Sequence, residues 1–142
     1  VSKKVLFLDI DGVCNSAKFA AVTKNRGVLG IDPYAAFLVG KIQLDTGCDV
    51  VLSSTWRLLK ESREDVRRQV VDFVGVTPDL RGKDRGYEIE AFLDNHEEYT
   101  RYAILDDDMD MLAYQAPNFF RTTWQEGLTP EIAKAVTEHL NA

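Results

Sequence analysis

The stretch that most constrains this chain runs from Lys3 to Asn15, where the apolar residues Val5 to Leu8 lead straight into Asp9, Asp11 and Gly12. A short apolar run bounded by turn formers reads as a strand buried on both faces, the kind found inside parallel sheets. Its carboxyl end carries a pair of acids, and open α/β sheets bind ligands at that end. Asp9 and Asp11 stand two residues apart and so begin on one side of the chain, while Gly12 lets the backbone turn away without a Cβ penalty. Two carboxylates this close repel unless a cation lies between them. The stretch therefore reads as a hard-cation site with oxygen ligands, most simply for Mg²⁺, leaving one carboxylate to act on a substrate. Asp-x-Asp-Gly is also an ordinary strand-to-loop turn, so the remaining sequence must decide.

A chain of 142 residues, 45% hydrophobic and 28% charged, suits one folded domain over residues 1–142 and excludes a disordered polymer. No apolar run is long enough to cross a bilayer and the first residues show no signal-peptide pattern, so a cytoplasmic location without membrane contact is expected. Cys14 and Cys48 lack metal-type spacing and read as buried thiols, with Cys14 close enough to the acids to touch a substrate. The net charge of −6 is unevenly spread. Residues 1–56 carry 6 basic and 5 acidic groups (+1), residues 57–85 carry 8 and 6 (+2), and residues 86–142 carry 3 and 12 (−9). The middle stretch offers cations to an anionic substrate, although Arg63, Arg67 and Arg68 suit a solvated helix face. Overall acidity argues against nonspecific coating of nucleic acid.

In chain order, the polar segment around Lys24-Asn25-Arg26-Gly27 suggests a hairpin or flap. Asp32-Pro33 starts a helix with apolar residues at Ala36, Phe37, Val39, Ile42 and Leu44, and Gly47 closes it. Asp49 to Leu52 is a second buried strand, ending in Ser53, Ser54, Thr55, Trp56 and Arg57. Ser62 to Asp65 resembles a capping box before a helix with Val66, Val70, Val71 and Phe73 inward. Val76 to Leu80 is an edge-strand candidate weakened by Pro78. Gly86 to His96 reads as a helix, and Tyr102 to Leu105 as a third apolar strand ending in Asp106, Asp107 and Asp108. A short helix over Met109 to Gln115, a strand over Asn118 to Thr122, and a helix from Thr129-Pro130 to Leu140 complete the chain. The alternation predicts an α/β fold, a Rossmann-like three-layer sandwich with a central parallel sheet.

Three buried strands thus end in functional groups, Asp9/Asp11, Ser53/Ser54 and Asp106/Asp107. Neighbouring strands lie about 4.8 Å apart, so with the first strand between the other two these groups converge. Asp-Ile-Asp-Gly-Val, Val-Val-Leu-Ser-Ser, a basic residue ahead of a helix and Ile-Leu-Asp-Asp resemble, in order, the four motifs of the haloacid dehalogenase (HAD) superfamily of phosphohydrolases. Leu-Ser-Ser-Thr-Trp-Arg, Arg85-Gly-Tyr-Glu-Ile and Gly127-Leu-Thr are similar to the HAD-type domains associated with RNA-repair proteins. The resemblance runs from about Lys4 to Leu140, with Cys14 standing where that subgroup has leucine.

The resemblance implies that Asp9 is the nucleophile, forming an aspartyl-phosphate. Asp11 would protonate the leaving oxygen and then activate water, with its backbone carbonyl on Mg²⁺. Ser53, or alternatively Ser54, would bind a phosphoryl oxygen, close to the Gly12 turn. Asp106, directly or with Asp107, would ligate the metal alongside Asp9, and Asp108 would be a helix N-terminal acid. Either Arg85 or Lys83 would offset charge on the transferring group. Arg57 is the candidate for gripping substrate beyond that group. His96, His139 and Trp124 read as structural; Trp56 reads as packing beside the site, with base stacking as the alternative.

HAD proteins commonly insert a cap domain, but residues 13–48 and 54–84 leave room only for a flap after supplying their helices. An open site admits bulky phosphorylated substrates, and the leading expectation is a Mg²⁺-dependent phosphatase acting on a nucleic-acid terminal phosphate. A phosphatase of free nucleotides or small phosphometabolites is the rival. A phosphoryl-accepting receiver would need Asp where Ser53 stands and Lys near Arg121-Thr122, and an inactive binding domain would not need every catalytic group. The start at Val1 is compatible with a segment of a longer chain, fused to or associated with a repair enzyme; the sequence leaves the oligomeric state open.

Overall fold

The apolar runs pair into one sheet. In the computed structural model, which describes residues 3–23 and 30–142, β1 (Lys3–Leu8), β2 (Asp49–Leu52), β3 (Gly75–Val76), β4 (Tyr99–Asp106) and β5 (Phe119–Arg121) form a parallel sheet ordered β3-β2-β1-β4-β5. The chain steps outward from β1 to β3 and then crosses to β4 on the other side of β1. That reversal puts the topological switch point between β1 and β4, and α/β sheets bind ligands at the carboxyl ends of the strands there.

Among the described residues the α-helices are α1 (Ala17–Thr23), which buries no residue, and α2 (Pro33–Thr46), α3 (Lys60–Gln69), α4 (Arg85–Asp94) and α5 (Pro130–Asn141), which pack on the sheet. Side chains alternate between faces along each strand. Leu6, Leu8, Val50, Leu52 and Leu105 join Val39 and Ile42 of α2, Val66 of α3 and Val136 of α5 in one core. Val5, Phe7, Val51 and Ile104 join Ile89 and Phe92 of α4 in the other. Phe7 meets Phe92 edge to face, ring centroids 5.6 Å apart, a geometry favoured by the ring quadrupoles. Truncating Phe7 to alanine would cost about 3–5 kcal/mol. The same alternation fixes the site: Asp9 lies two residues beyond Phe7, so its side chain leaves the sheet on the α4 face.

The three-layer architecture is as the sequence predicts, and two helix starts follow their sequence signals. The Asp32 carboxylate accepts from Tyr34 N at 2.9 Å ahead of α2, and Gly47 ends that helix at φ 70°. Thr129 caps α5 through Ile132 N at 3.3 Å. Other boundaries move. Ser62 lies inside α3 rather than capping it, and Val71 and Phe73 are buried by the chain beyond that helix. The α2 period buries Ala35, Ala36, Leu38, Val39 and Ile42, leaving Phe37 and Leu44 exposed. No α-helix forms over Met109 to Gln115; a 3₁₀ turn spans Ala113–Asn118, so Asp108 is not a helix N-terminal acid. The edge strand stops at Val76, before Pro78 would remove a ladder donor. The hairpin expected at Lys24 to Gly27 lies outside the described residues; α1 precedes it. Between β2 and α4 the chain supplies only a 3₁₀ turn, α3 and β3. Among the described residues no helix is long and apolar enough to cross a membrane.

Candidate active site

One rung of the sheet brings the candidate groups together. Leu8 pairs with both Leu52 and Leu105, so the next residues, Ser53, Asp9 and Asp106, lie side by side. The ladder continues through them: Asp9 N donates to Leu105 O at 3.0 Å and Ser53 N to Leu8 O at 2.9 Å. Thr77, beyond β3, and Arg121, paired with Asp106, extend the row at either end. Asp9, Ser53 and Asp106 are all buried.

Carboxylate oxygens of Asp9, Asp106 and Asp107 lie within 4.8 Å of one another. Burial pushes the Asp9 carboxyl well above the ordinary carboxylate range and the Asp106 charge adds to this, while Arg85 opposes it. Asp107 is raised by burial and by its neighbours Asp106 and Asp108. Three hard oxygen donors that are unfavourable as bare anions match what Mg²⁺ requires. Asp106 already accepts from Asp108 N at 2.9 Å and from Arg85 Nη1 at 2.7 Å, yet a carboxylate has about four lone-pair sites, so coordination capacity remains. Asp107 owes its position to Gly12, which has φ 83°; a Cβ there would fall on the Asp107 carboxylate.

Arg85 opens α4 and faces the rung, its Nη1 3.3 Å from Asp9 Oδ1 as well as 2.7 Å from Asp106 Oδ2. Its backbone is docked rigidly. Arg85 N donates to Asp110 Oδ2 at 3.0 Å, and Gly86 packs so closely that a Cβ would stand 2.6 Å from Leu112 N. The buried Gln115 side chain bridges Gly86 O and Leu112 N at 2.9 and 2.8 Å. Lys83, by contrast, is exposed with its ammonium 5.2 Å from the centre of the Tyr87 ring. Arg85 is therefore the cation that the fold brings to the acids.

Asp11 is held on one oxygen: its Oδ1 accepts from Asn15 Nδ2 at 2.9 Å and from Trp56 Nε1 at 3.1 Å. Asn15 also accepts from Gly12 N at 2.9 Å, and Gly12 O receives Thr122 Oγ1 at 2.6 Å. The loop after β1 is thus tied both to itself and to the end of β5. Of the two serines, Ser54 is occupied, accepting from Trp56 N at 3.2 Å, whereas the buried Ser53 Oγ has no partner. A buried hydroxyl without a partner is costly, and Ser53 Oγ shares that condition with Thr77 Oγ1 and Asp110 Oδ1.

Sequence comparison now decides the family. The family model described as the HAD domain in Swiss Army Knife RNA repair proteins matches residues 5–133. The chain belongs to this family. Among solved structures, the HAD domain is similar to a chain in the structure titled "Structure of Pnkp1/Rnl/Hen1 complex", with a TM-score of 0.59 and 15% identity. The alignment covers 88% of the HAD domain and 47% of that chain, so the domain spans about half of its length. A search of the curated proteins returned no match.

Two sequence expectations for this HAD domain need correction. Arg57 does not reach out to substrate: it is 5% exposed, and its Nη2 pairs with the buried Glu88 Oε2 at 2.9 Å. Its Nε and Nη1 donate to Thr77 O and Ser54 O at 3.0 and 2.9 Å, stitching β2, β3 and α4 together. Cys14 touches no substrate either, being wholly buried in the core with its thiol pushed up by burial. Asn15, Asp110, Gln115 and Thr122 are additional supports that the sequence reading does not single out. Only Asn15 carried a local signal, four residues after Asp11 in the same loop.

Proposed function

We propose that this HAD domain is a Mg²⁺-dependent phosphatase acting through Asp9 on a nucleic-acid terminal phosphate. The observation that carries the reading is the single rung of Ser53, Asp9 and Asp106 with Arg85 laid across it. Asp9, Asp106, Asp107 and the Asp11 carbonyl are the groups that would hold Mg²⁺, whose charge offsets that of the phosphoryl group.

A carboxylate oxygen of Asp9 attacks phosphorus, and the bond to the leaving oxygen breaks as Asp11 gives that oxygen a proton. Water then attacks the aspartyl-phosphate, Asp11 takes its proton, and inorganic phosphate leaves with Asp9 restored. Splitting the displacement in two lowers each barrier. Ser53 Oγ binds a phosphoryl oxygen and Arg85 neutralises charge as it shifts during transfer. The family's description as a domain of RNA repair proteins supports a polynucleotide substrate.

Phosphate release from 3′- and 5′-phosphorylated oligonucleotides and from mononucleotides, with and without Mg²⁺, tests the reading. Metal-dependent turnover that favours an oligonucleotide and vanishes in Asp9→Asn is expected. Equal or faster turnover of mononucleotides would defeat the polymer assignment, and full activity of Asp9→Asn would defeat the mechanism.

A further inference from the structure

We infer that Arg121 forms a second anion subsite, taking the phosphodiester next to the phosphate that Asp9 attacks. The inference rests on the phosphatase reading above and names the part of the substrate that lies beyond the reacting group. With Arg57 buried, that part needs another cation.

Arg121 occupies the same rung as Asp9, paired in register with Asp106. Strands are spaced by about 4.8 Å, so Arg121 starts about 10 Å from the nucleophile, two strands along the row. Its Nε donates to Asp107 O at 3.0 Å, fixing the guanidinium beside the residue that completes the acid cluster. Among the described residues Nη1 and Nη2 meet no acceptor, and the side chain is exposed.

The remaining cations near the rung are committed differently. Arg85 is spent on Asp9 and Asp106, Arg57 on Glu88, and Lys83 lies over Tyr87. Within the acidic segment from residue 86 onward the other basic residues, Arg101 and Lys134, are engaged with His139 O and Glu138. Simple charge compensation would pair Arg121 with Asp107 or Asp108. Among the described residues its hydrogen bond goes instead to a backbone carbonyl, and Asp108 feels its charge without pairing with it, so both Nη atoms stay open on an exposed side chain. A guanidinium held by Nε and open at both Nη atoms suits bidentate binding of a phosphate.

The test compares wild type, Arg121→Ala and Arg121→Lys on a terminally phosphorylated oligonucleotide and on p-nitrophenyl phosphate, which has no second anion. Arg121→Ala is expected to raise KM for the oligonucleotide about tenfold with kcat nearly unchanged, the signature of lost uniform binding. Kinetics on p-nitrophenyl phosphate should stay at the wild-type level, and lysine should restore part of the loss. The dependence of log KM on log salt should become shallower by about 0.7 in Arg121→Ala, as for one phosphate contact on a single strand. Equal losses on both substrates would show that Arg121 only supports the acid cluster, and unchanged kinetics on both would remove the subsite; either result overturns the inference. If wild type releases phosphate from neither substrate, the phosphatase reading itself fails. If it cleaves p-nitrophenyl phosphate alone, the polymer assignment fails.

Discussion

Trp56 Nε1 donates to Asp11 Oδ1 at 3.1 Å, from a residue 45 positions away, and Asn15 donates to the same oxygen. With Oδ1 held by two donors, Oδ2 is the oxygen that would exchange a proton with substrate in the proposed mechanism. Trp56→Phe keeps the ring and removes only the N–H. General acid catalysis is worth about 10²–10⁴-fold, and mispositioning the acid should forfeit part of it. The expected loss in kcat is about tenfold or more for an alkyl phosphate ester, whose leaving oxygen needs the proton. It should be much smaller for p-nitrophenyl phosphate, whose leaving group departs readily as an anion. Equal losses on the two would show that the indole merely packs.

Ser53 Oγ is buried and unpartnered while Asp9 sits beside it on the rung. Removing an orphaned polar atom relieves a desolvation penalty of about 1–3 kcal/mol instead of breaking a bond. Ser53→Ala should therefore hold or raise the thermal midpoint of the protein without substrate while lowering kcat/KM about tenfold. Ser54→Ala, which deletes the bond to Trp56 N, should lose stability by about 1 kcal/mol. Calorimetry and steady-state rates on the pair separate the two serines.

The convergence of three strand ends was legible because each strand is a short apolar run and each ends in Asp or Ser, a local pattern. Face alternation along β1 follows from the same period of two. What escaped was long-range: the partner of Arg57 is Glu88, and the donor to Asp11 is Trp56, pairings made only when β2 and α4 close on the sheet. Spacing alone could not separate Arg85 from Lys83, since the two residues flank the start of α4. The choice is made by Asp110, which fixes the backbone N–H of Arg85 and so aims its side chain at the rung. Helix ends drifted where no cap signal is present, as at Leu59 before α3, which makes no side-chain cap bond.

Arg57 and Glu88 form a buried pair whose donors and acceptors are largely satisfied by backbone groups. Glu88 Oε2 also accepts from Leu80 N at 2.9 Å. Removing one member leaves the other charge buried without its partner, a cost of about 3–5 kcal/mol. Arg57→Ala should unfold at markedly lower denaturant, and Arg57→Ala/Glu88→Ala should cost less than the sum of the singles in a double-mutant cycle. A variant with native stability and a raised KM would return Arg57 to the substrate.

Asp9 and Asp107 both hold their protons more tightly in the fold than as free carboxylates, because burial and adjacent acids disfavour the ionised forms. Between the ordinary carboxylate range and these raised values the folded state binds more protons than the unfolded one, so stability falls as pH rises through that window. In EDTA the thermal midpoint should accordingly drop from pH 5 to pH 8 by more in wild type than in Asp107→Asn, which removes one of the repelling charges. In the proposed site Mg²⁺ would bind the ionised carboxylates of the folded state, so its stabilising effect should grow over the same interval and rise with its concentration. Differential scanning calorimetry at several pH values, with and without the metal, reads both slopes. A midpoint that rises with pH in EDTA, or one indifferent to Mg²⁺ at pH 8, would mean that the acids at the ends of β1 and β4 do not form a cation site.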